Sequence, residues 1–223
     1  PYDLVFRTIP SDRLAGQVCA DYLKDQNFNR PLILYERNAF GRSISNAFEQ
    51  QARFIGMEIA ARISYDGESG IQLRQTIDTM RHRNFDVIFF APSNINLAAD
   101  LLHRMRDAGV DQPILNPGSL DNSRFIELAG EEAEGLLAMT AFYPGGPFPE
   151  SVAFVDEFIW EYEKFPNAWA AQAYDTVKLW AAAAERSPDL QPETIAETIM
   201  EMPPWQGATG LHRFDEYGDL KGM

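Results

Sequence analysis

Apolar and polar positions along this chain fall into a repeated phrase. A short apolar run ends in a loop of small, polar or aromatic residues, and an amphipathic stretch follows. Pro31 to Glu36 (PLILYE) leads into Arg37 to Gly41 (RNAFG). Asp86 to Ala91 (DVIFFA) leads into Pro92 to Asn96 (PSNIN), and Pro113 to Asn116 (PILN) into Pro117 to Asp121 (PGSLD). Short β-rich runs alternating with helical periods predict β-α units on a parallel sheet. A fully apolar run such as Val87 to Ala91 suits a strand covered on both faces. The predicted fold class is therefore α/β, a parallel sheet flanked by helices.

The periods place further elements. A helix is expected from Ser11 or Asp12, either one its N-cap, to about Asp25. Others are expected over Gly41 to Phe54, with Ile44, Phe48 and Phe54 among its apolar positions and Gly56 as its stop, and over Ile71 to Arg83, with Leu73, Ile77 and Met80 in one stripe. Leu97 to Ala108 is expected to end at Gly109, and Asn122 to Ala129 is a short helix. Strands are expected over Met57 to Ile63, over Ile114 and Leu115, and over Leu136 to Tyr143, with a turn across residues 66–70. Pro144 to Pro149 (PGGPFP) breaks the alternation. Beyond it the pattern is mostly helical: Glu150 to Glu163, Ala168 to Glu185 and Pro192 to Met200, then a short strand over Leu211 to Phe214. Trp160, Trp169 and Trp180 on these helices are expected to serve packing.

Sheets of this kind bind ligands at the carboxyl ends of their strands. Phe40, before Gly41, is placed to wall a pocket or to pack a loop. Ser93 and Asn94 offer a hydroxyl and an amide, or cap the next helix. Ser119 lies at the third strand end. Asp121 pairs with a ligand ammonium or caps the helix from Asn122.

Charge narrows the partners. The 19 Lys and Arg against 33 Asp and Glu give a formal net charge of −14. That argues against nucleic acid and anionic membrane surfaces, which need basic patches. No apolar run is long enough to span a bilayer. The single cysteine, Cys19, reads as a small buried hydrophobe. His82 and His103 lie beside arginines on polar helix faces, and no clustered ligand set predicts a metal. The residues 67–70 (GESG) lack the spacing of a hydrolase nucleophile elbow. No phosphate loop, metal motif or cofactor motif is present, so no cofactor is expected.

The phrases together resemble the type I periplasmic solute-binding proteins, in the leucine/isoleucine/valine-binding branch of ABC transporter receptors. The residues that carry the likeness are Val5 to Thr8 with Pro10 to Asp12, Phe40 with Gly41, and Asp86 to Phe90 followed by Ala98 to Leu102 and Ala108 with Gly109. Ala129 with Gly130, Ala133 to Gly135, Tyr174 with Asp175, Gly207 to Gly210 and Phe214 to Gly218 continue it. The resemblance implies an interlobe crossover over 1–12 and an α/β ligand-binding lobe over 13–145. It implies helical and terminal segments of the other, incomplete lobe over 146–223. It also implies a longer polypeptide, periplasmic or extracellular and open to lipid anchoring, whose partners are a small-molecule ligand and the membrane permease of an ABC transporter. An acidic residue that often meets a ligand ammonium in that family falls near Gly118, where only Asp121 is acidic close by.

The expected activity is reversible capture of a small polar solute, an amino acid or a related compound, without catalysis. Phe40, Ser93, Asn94, Gly118, Ser119 and Asp121 form the expected site. A ligand-sensing regulatory domain of a larger protein is the alternative on the same fold, and an α/β enzyme at the same rim is a third.

Overall fold

The first strand, β1 (Pro31–Glu36), is buried along its first four residues and lies inside a parallel sheet with β2 (Ala61–Tyr65), β3 (Val87–Ala91), β4 (Ile114–Asn116) and β5 (Leu137–Ala138). The order across the sheet is β2-β1-β3-β4-β5. This computed structural model describes residues 4–66 and 70–221. The expected turn over 66–70 and the GESG segment therefore lie largely outside the described residues, as do the extreme ends of the chain.

The chain forms two compact units. One is Asp12–Met139; the other joins the residues up to Ser11 with those from Thr140 onward. The chain passes between the units after Ser11 and again after Met139, the second point lying ahead of the Pro144–Pro149 cluster.

In the Asp12–Met139 unit, α1 (Asp12–Asp25) and α2 (Ala39–Phe54) cover one sheet face. Their buried Cys19, Leu23, Ile44, Phe48 and Ala52 meet Ile33, Val87 and Phe89. Phe48 stacks on Phe89 with ring centroids 3.9 Å apart; Phe54, expected among the apolar positions of the same helix, is instead its exposed last residue. Burial pushes the Cys19 thiol up to about 12, which leaves it an inert core group. The other face carries α3 (Gly70–Arg81), α4 (Ile95–Asp107) and α5 (Ser123–Ala129). There Leu73, Ile77, Met80, Leu101, Leu102 and Met105 pack on Leu32, Leu34, Ile88 and Phe90. Full burial of such side chains stabilises by roughly 1.5–3 kcal/mol each, which makes these two layers the main source of the unit's stability.

Several strands depart from expectation, among them the last, which covers Gly210–His212 and not Leu211 to Phe214. β2 covers Ala61–Tyr65, not Met57 to Ile63, because its ladder with β1 starts at the Leu32 and Ala61 pair. Pro31 has no N–H to donate, so residues 57–60 make only isolated bonds, Glu58 N–H to Asn29 O and Ala60 N–H to Pro31 O. β5 is two residues long instead of the eight from Leu136 to Tyr143. Its partner β4 offers only Leu115 and Asn116 for pairing. In the second unit a strand over Trp205–Gly207 went unforeseen; as β6 it pairs antiparallel with β7 (Gly210–His212).

That second unit contains α6 (Pro149–Tyr162), α7 (Ala168–Ala184) and α8 (Pro192–Glu201). The expectation that its tryptophans pack is corrected. Trp160, Trp169 and Trp180 are 88%, 55% and 54% exposed. On α7 the buried face is Ala168, Ala171, Gln172, Asp175, Leu179 and Ala183, mostly small residues at helical spacing. Trp169 and Trp180 fall outside that stripe.

Candidate functional site

β1, β3 and β4 are parallel neighbours, so the loops that follow them lie side by side on one rim. After β1, Asn38 caps α2: its Oδ1 accepts the Gly41 N–H at 2.8 Å. This cap starts the helix at Ala39, two residues before the expected start at Gly41, and puts Phe40 in its first turn rather than in a free loop. Phe40 is half-buried against the cluster beneath α1 and α2. Gly41 is required by close approach, since a Cβ there would sit 2.1 Å from the Glu36 carbonyl oxygen.

The strand-end residue Glu36 ties two of the loops together. Its Oε2 accepts the backbone N–H groups of Ser93 at 2.8 Å and Asn94 at 2.9 Å. Partial burial pushes its carboxyl up. The two backbone bonds, with help from the Ser93 and Asn38 side chains, outweigh that and hold it below the usual glutamate range. Glu36 is therefore a carboxylate at neutral pH. Ser93 also accepts from Asn38 Nδ2 at 2.7 Å. Asn94 caps α4, accepting the N–H groups of Asn96 at 3.0 Å and Leu97 at 3.2 Å. Its amide oxygen is thus committed to the helix, while Ser93 and Asn94 both remain exposed.

The third loop hangs from a side chain that sequence reasoning missed. Asn116 is fully buried at the end of β4. Its Nδ2 donates to Phe90 O at 2.9 Å and to Ser119 Oγ at 3.0 Å. Its Oδ1 accepts the N–H groups of Gly118 and Leu120, each at 2.9 Å. Both donors and both lone pairs of the amide are used. An Asn ahead of Pro-Gly is a turn signal that could have exposed this role. Gly118 has φ +111, a conformation that favours glycine, and a Cβ there would lie 3.1 Å from the Met139 carbonyl oxygen. No side-chain functional group fits at 118 without strain. Asp121 is half-buried at the loop's end, its N–H donating to Gly118 O at 3.2 Å. It is not the N-cap of α5; Asn122 is, accepting the Arg124 N–H at 2.8 Å.

The structure thus brings Phe40, Ser93, Asn94, Gly118, Ser119 and Asp121 to one rim, and it gives Ser93, Asn94 and Ser119 local structural duties as well. At the carboxyl ends of β1, β3 and β4 the acidic side chains are Glu36 and Asp121. The nearby cation Arg37 faces Asp66, with Nη1 3.4 Å from Oδ2. Among the described residues no group of three or more His, Cys, Asp or Glu could hold a metal ion. Among them, too, no helix is long and apolar enough to cross a membrane.

A parallel sheet flanked by helices on both faces is the lobe architecture of type I periplasmic binding proteins. The chain belongs to the periplasmic binding protein family, whose pattern matches residues 1–220. Its likeness runs to the leucine/isoleucine/valine-binding branch. It is 24% identical, over its whole length, to a leucine-, isoleucine-, valine-, threonine- and alanine-binding protein of Pseudomonas aeruginosa, and spans 59% of that protein. Among solved structures, an ABC transporter substrate-binding protein from Desulfitobacterium hafniense matches at 35% identity and a TM-score of 0.85, over 99% of this chain and 63% of that one. A structure described as the Desulfitobacterium hafniense ABC transporter substrate-binding protein in complex with Leu matches at 34% identity and a TM-score of 0.81, over 97% and 62%. A leucine-binding protein from Thermotoga maritima matches at 26% identity and a TM-score of 0.88, over 97% of this chain and 62% of that one.

Proposed function

We propose that this chain carries a ligand-binding lobe, residues 12–139, of the substrate-binding component of an ABC transporter. It captures a small polar solute, an amino acid or a related compound, at the rim of that lobe, and makes or breaks no covalent bond. The observation that carries the reading is the convergence of Phe40, Ser93, Ser119 and Asp121 at the carboxyl ends of adjacent parallel strands, where such sheets bind. In this reading Phe40 is the apolar wall, Asp121 the charged contact, and Glu36 and Asn116 the posts that hold the loops. The names of the relatives support an amino acid, and family membership supports a periplasmic location and a permease partner.

Calorimetric titration with leucine, isoleucine, valine, threonine and alanine tests this, on the chain and on the full gene product. Phe40→Ala and Asp121→Asn are each expected to weaken binding about ten-fold, equivalent to about 1.4 kcal/mol. Unchanged affinity in both variants would remove these residues from the site.

A further inference from the structure

The unit that runs from Thr140 onward holds a buried acid–imidazole pair that solute binding does not use. Asp175 on α7 is fully buried, and its carboxylate closes the turn between β6 and β7. Oδ1 accepts the Ala208 N–H at 2.8 Å. Oδ2 accepts the Thr209 N–H at 2.7 Å and the Thr209 hydroxyl at 2.6 Å. On β7 the His212 ring is buried beside this cradle. Its Nδ1 lies 3.1 Å from the Gly210 carbonyl, which can only accept, so Nδ1 carries the proton of the neutral ring. Nε2 is buried without a hydrogen-bond partner and lies 3.9 Å from Asp175 Oδ2. β6 presents the Trp205 ring, centred 5.4 Å from the imidazole, and α6 presents Ser151, which donates to the Ala208 carbonyl. Among the described residues, Asp175 is the charged group that acts on His212.

We propose that the β6–β7 hairpin is an acid-sensitive latch, docked on α7 while His212 is neutral and released when its Nε2 takes up a proton. The reason is the saturation of Asp175. A new N–H at Nε2 would have to compete with Thr209 for Oδ2, or else remain a buried cation with no full partner, and both loosen the turn. Burial holds the imidazole below its ordinary value of 6.5, against the pull of Asp175 and of the Gly210 and Trp205 carbonyls. The docked hairpin therefore binds a proton less readily than the undocked one. Docking is at full strength above about pH 6.5 and weakens as pH falls through the docked-state value.

Release reaches further than the hairpin. Phe214, two residues on, meets Phe6 edge to face at 5.2 Å. Arg7 pairs with Asp219 at 2.8 Å, and its N–H donates to Gly218 O at 2.8 Å. The opening segment of the same unit is thus fastened by the residues that follow the latch.

The test uses the full chain. An NMR titration follows the His212 ring, and hydrogen exchange follows the Ala208 and Thr209 amides at about pH 7.5 and about pH 5, corrected for intrinsic rate, with the Leu179 amide of α7 as reference. The expected results are a His212 midpoint below about 6.5 and a loss of protection at Ala208 and Thr209 of about ten-fold or more relative to Leu179. In His212→Phe that loss should vanish. A midpoint above the ordinary value, equal loss at Leu179, protection that does not change with pH, or the same loss in His212→Phe would each overturn the latch. The wild-type midpoint and the Leu179 reference decide the matter even if the Phe variant does not fold.

Discussion

Replacing Asn116 by alanine should damage the rim from beneath, at a residue that reaches no ligand. The side chain makes four hydrogen bonds. Alanine leaves the Leu120 N–H and the Phe90 carbonyl without partners, and both residues are buried, 3% and 0% exposed. Gly118 and Ser119 are only half-buried, so water can replace the amide there. Two fully buried orphans at about 1–3 kcal/mol each, with a small cavity, give a cost of about 3–4 kcal/mol. Against a typical total of 5–15 kcal/mol this is severe.

Urea denaturation followed by circular dichroism reads the loss as a lower midpoint at unchanged slope. Hydrogen exchange should show Gly118 and Leu120 losing protection first. Asn116→Asp separates the two halves of the amide. The carboxylate keeps both N–H bonds but sets an oxygen against the Phe90 carbonyl. Protonation restores a donor, so the folded-state pKa of the new acid should lie above its unfolded value of about 3.9. The stability it contributes is then full below that value and is lost as pH rises through the folded pKa. A loss under about 1 kcal/mol for Asn116→Ala, the worth of one ordinary hydrogen bond, would refute the claim that this side chain holds the loop.

Other outcomes follow from neighbouring geometry. Gly118→Ala, forced to keep φ +111 and to meet the Met139 carbonyl at 3.1 Å, should cost about 1–3 kcal/mol in the same assay; a neutral result would mean the loop relaxes freely. Glu36 has a lowered folded-state pKa, so its contribution is present above about pH 4.3 and fades as pH falls through the folded value. Because Glu36 is partly exposed, that contribution should be only about half a kcal/mol, visible as a reduced acid sensitivity in Glu36→Gln. His103 is shifted up, first by its bond to the Leu128 carbonyl and then by Glu132, which lies 3.4 Å from Nδ1. The stability it adds is complete below about pH 6.5 and is lost as pH rises through the folded value. An NMR midpoint for His103 at or below the ordinary value would contradict this. With a formal charge of −14, the chain should give no salt-sensitive gel shift with DNA at physiological salt.

Much of the architecture was legible because it is locally encoded. The stripe of Ile44 and Phe48, and that of Leu73, Ile77 and Met80, set helix faces by spacing alone. The unbroken apolar run of β3 announced a strand covered on both sides. The phrase of strand, polar loop and helix placed Phe40, Ser93, Ser119 and Asp121 at strand ends before any contact was known. The tertiary structure decided what depends on partners distant in the chain. β2 begins at Ala61 because Pro31, 30 residues earlier, cannot donate to the ladder. β5 is short because β4 is short. The tryptophans of α6 and α7 are exposed because other residues of those helices, Phe154 and Val155 on α6 and mostly small ones on α7, form the faces that bury, a choice that a helical period cannot make. Asn116 and Glu36 became visible as posts only when Phe90, Ser93 and Asn94 came within hydrogen-bond distance. Sequence order carries the period of an element and the residues at its ends. Which neighbouring backbone groups a buried side chain must satisfy is settled only when packing brings those groups together.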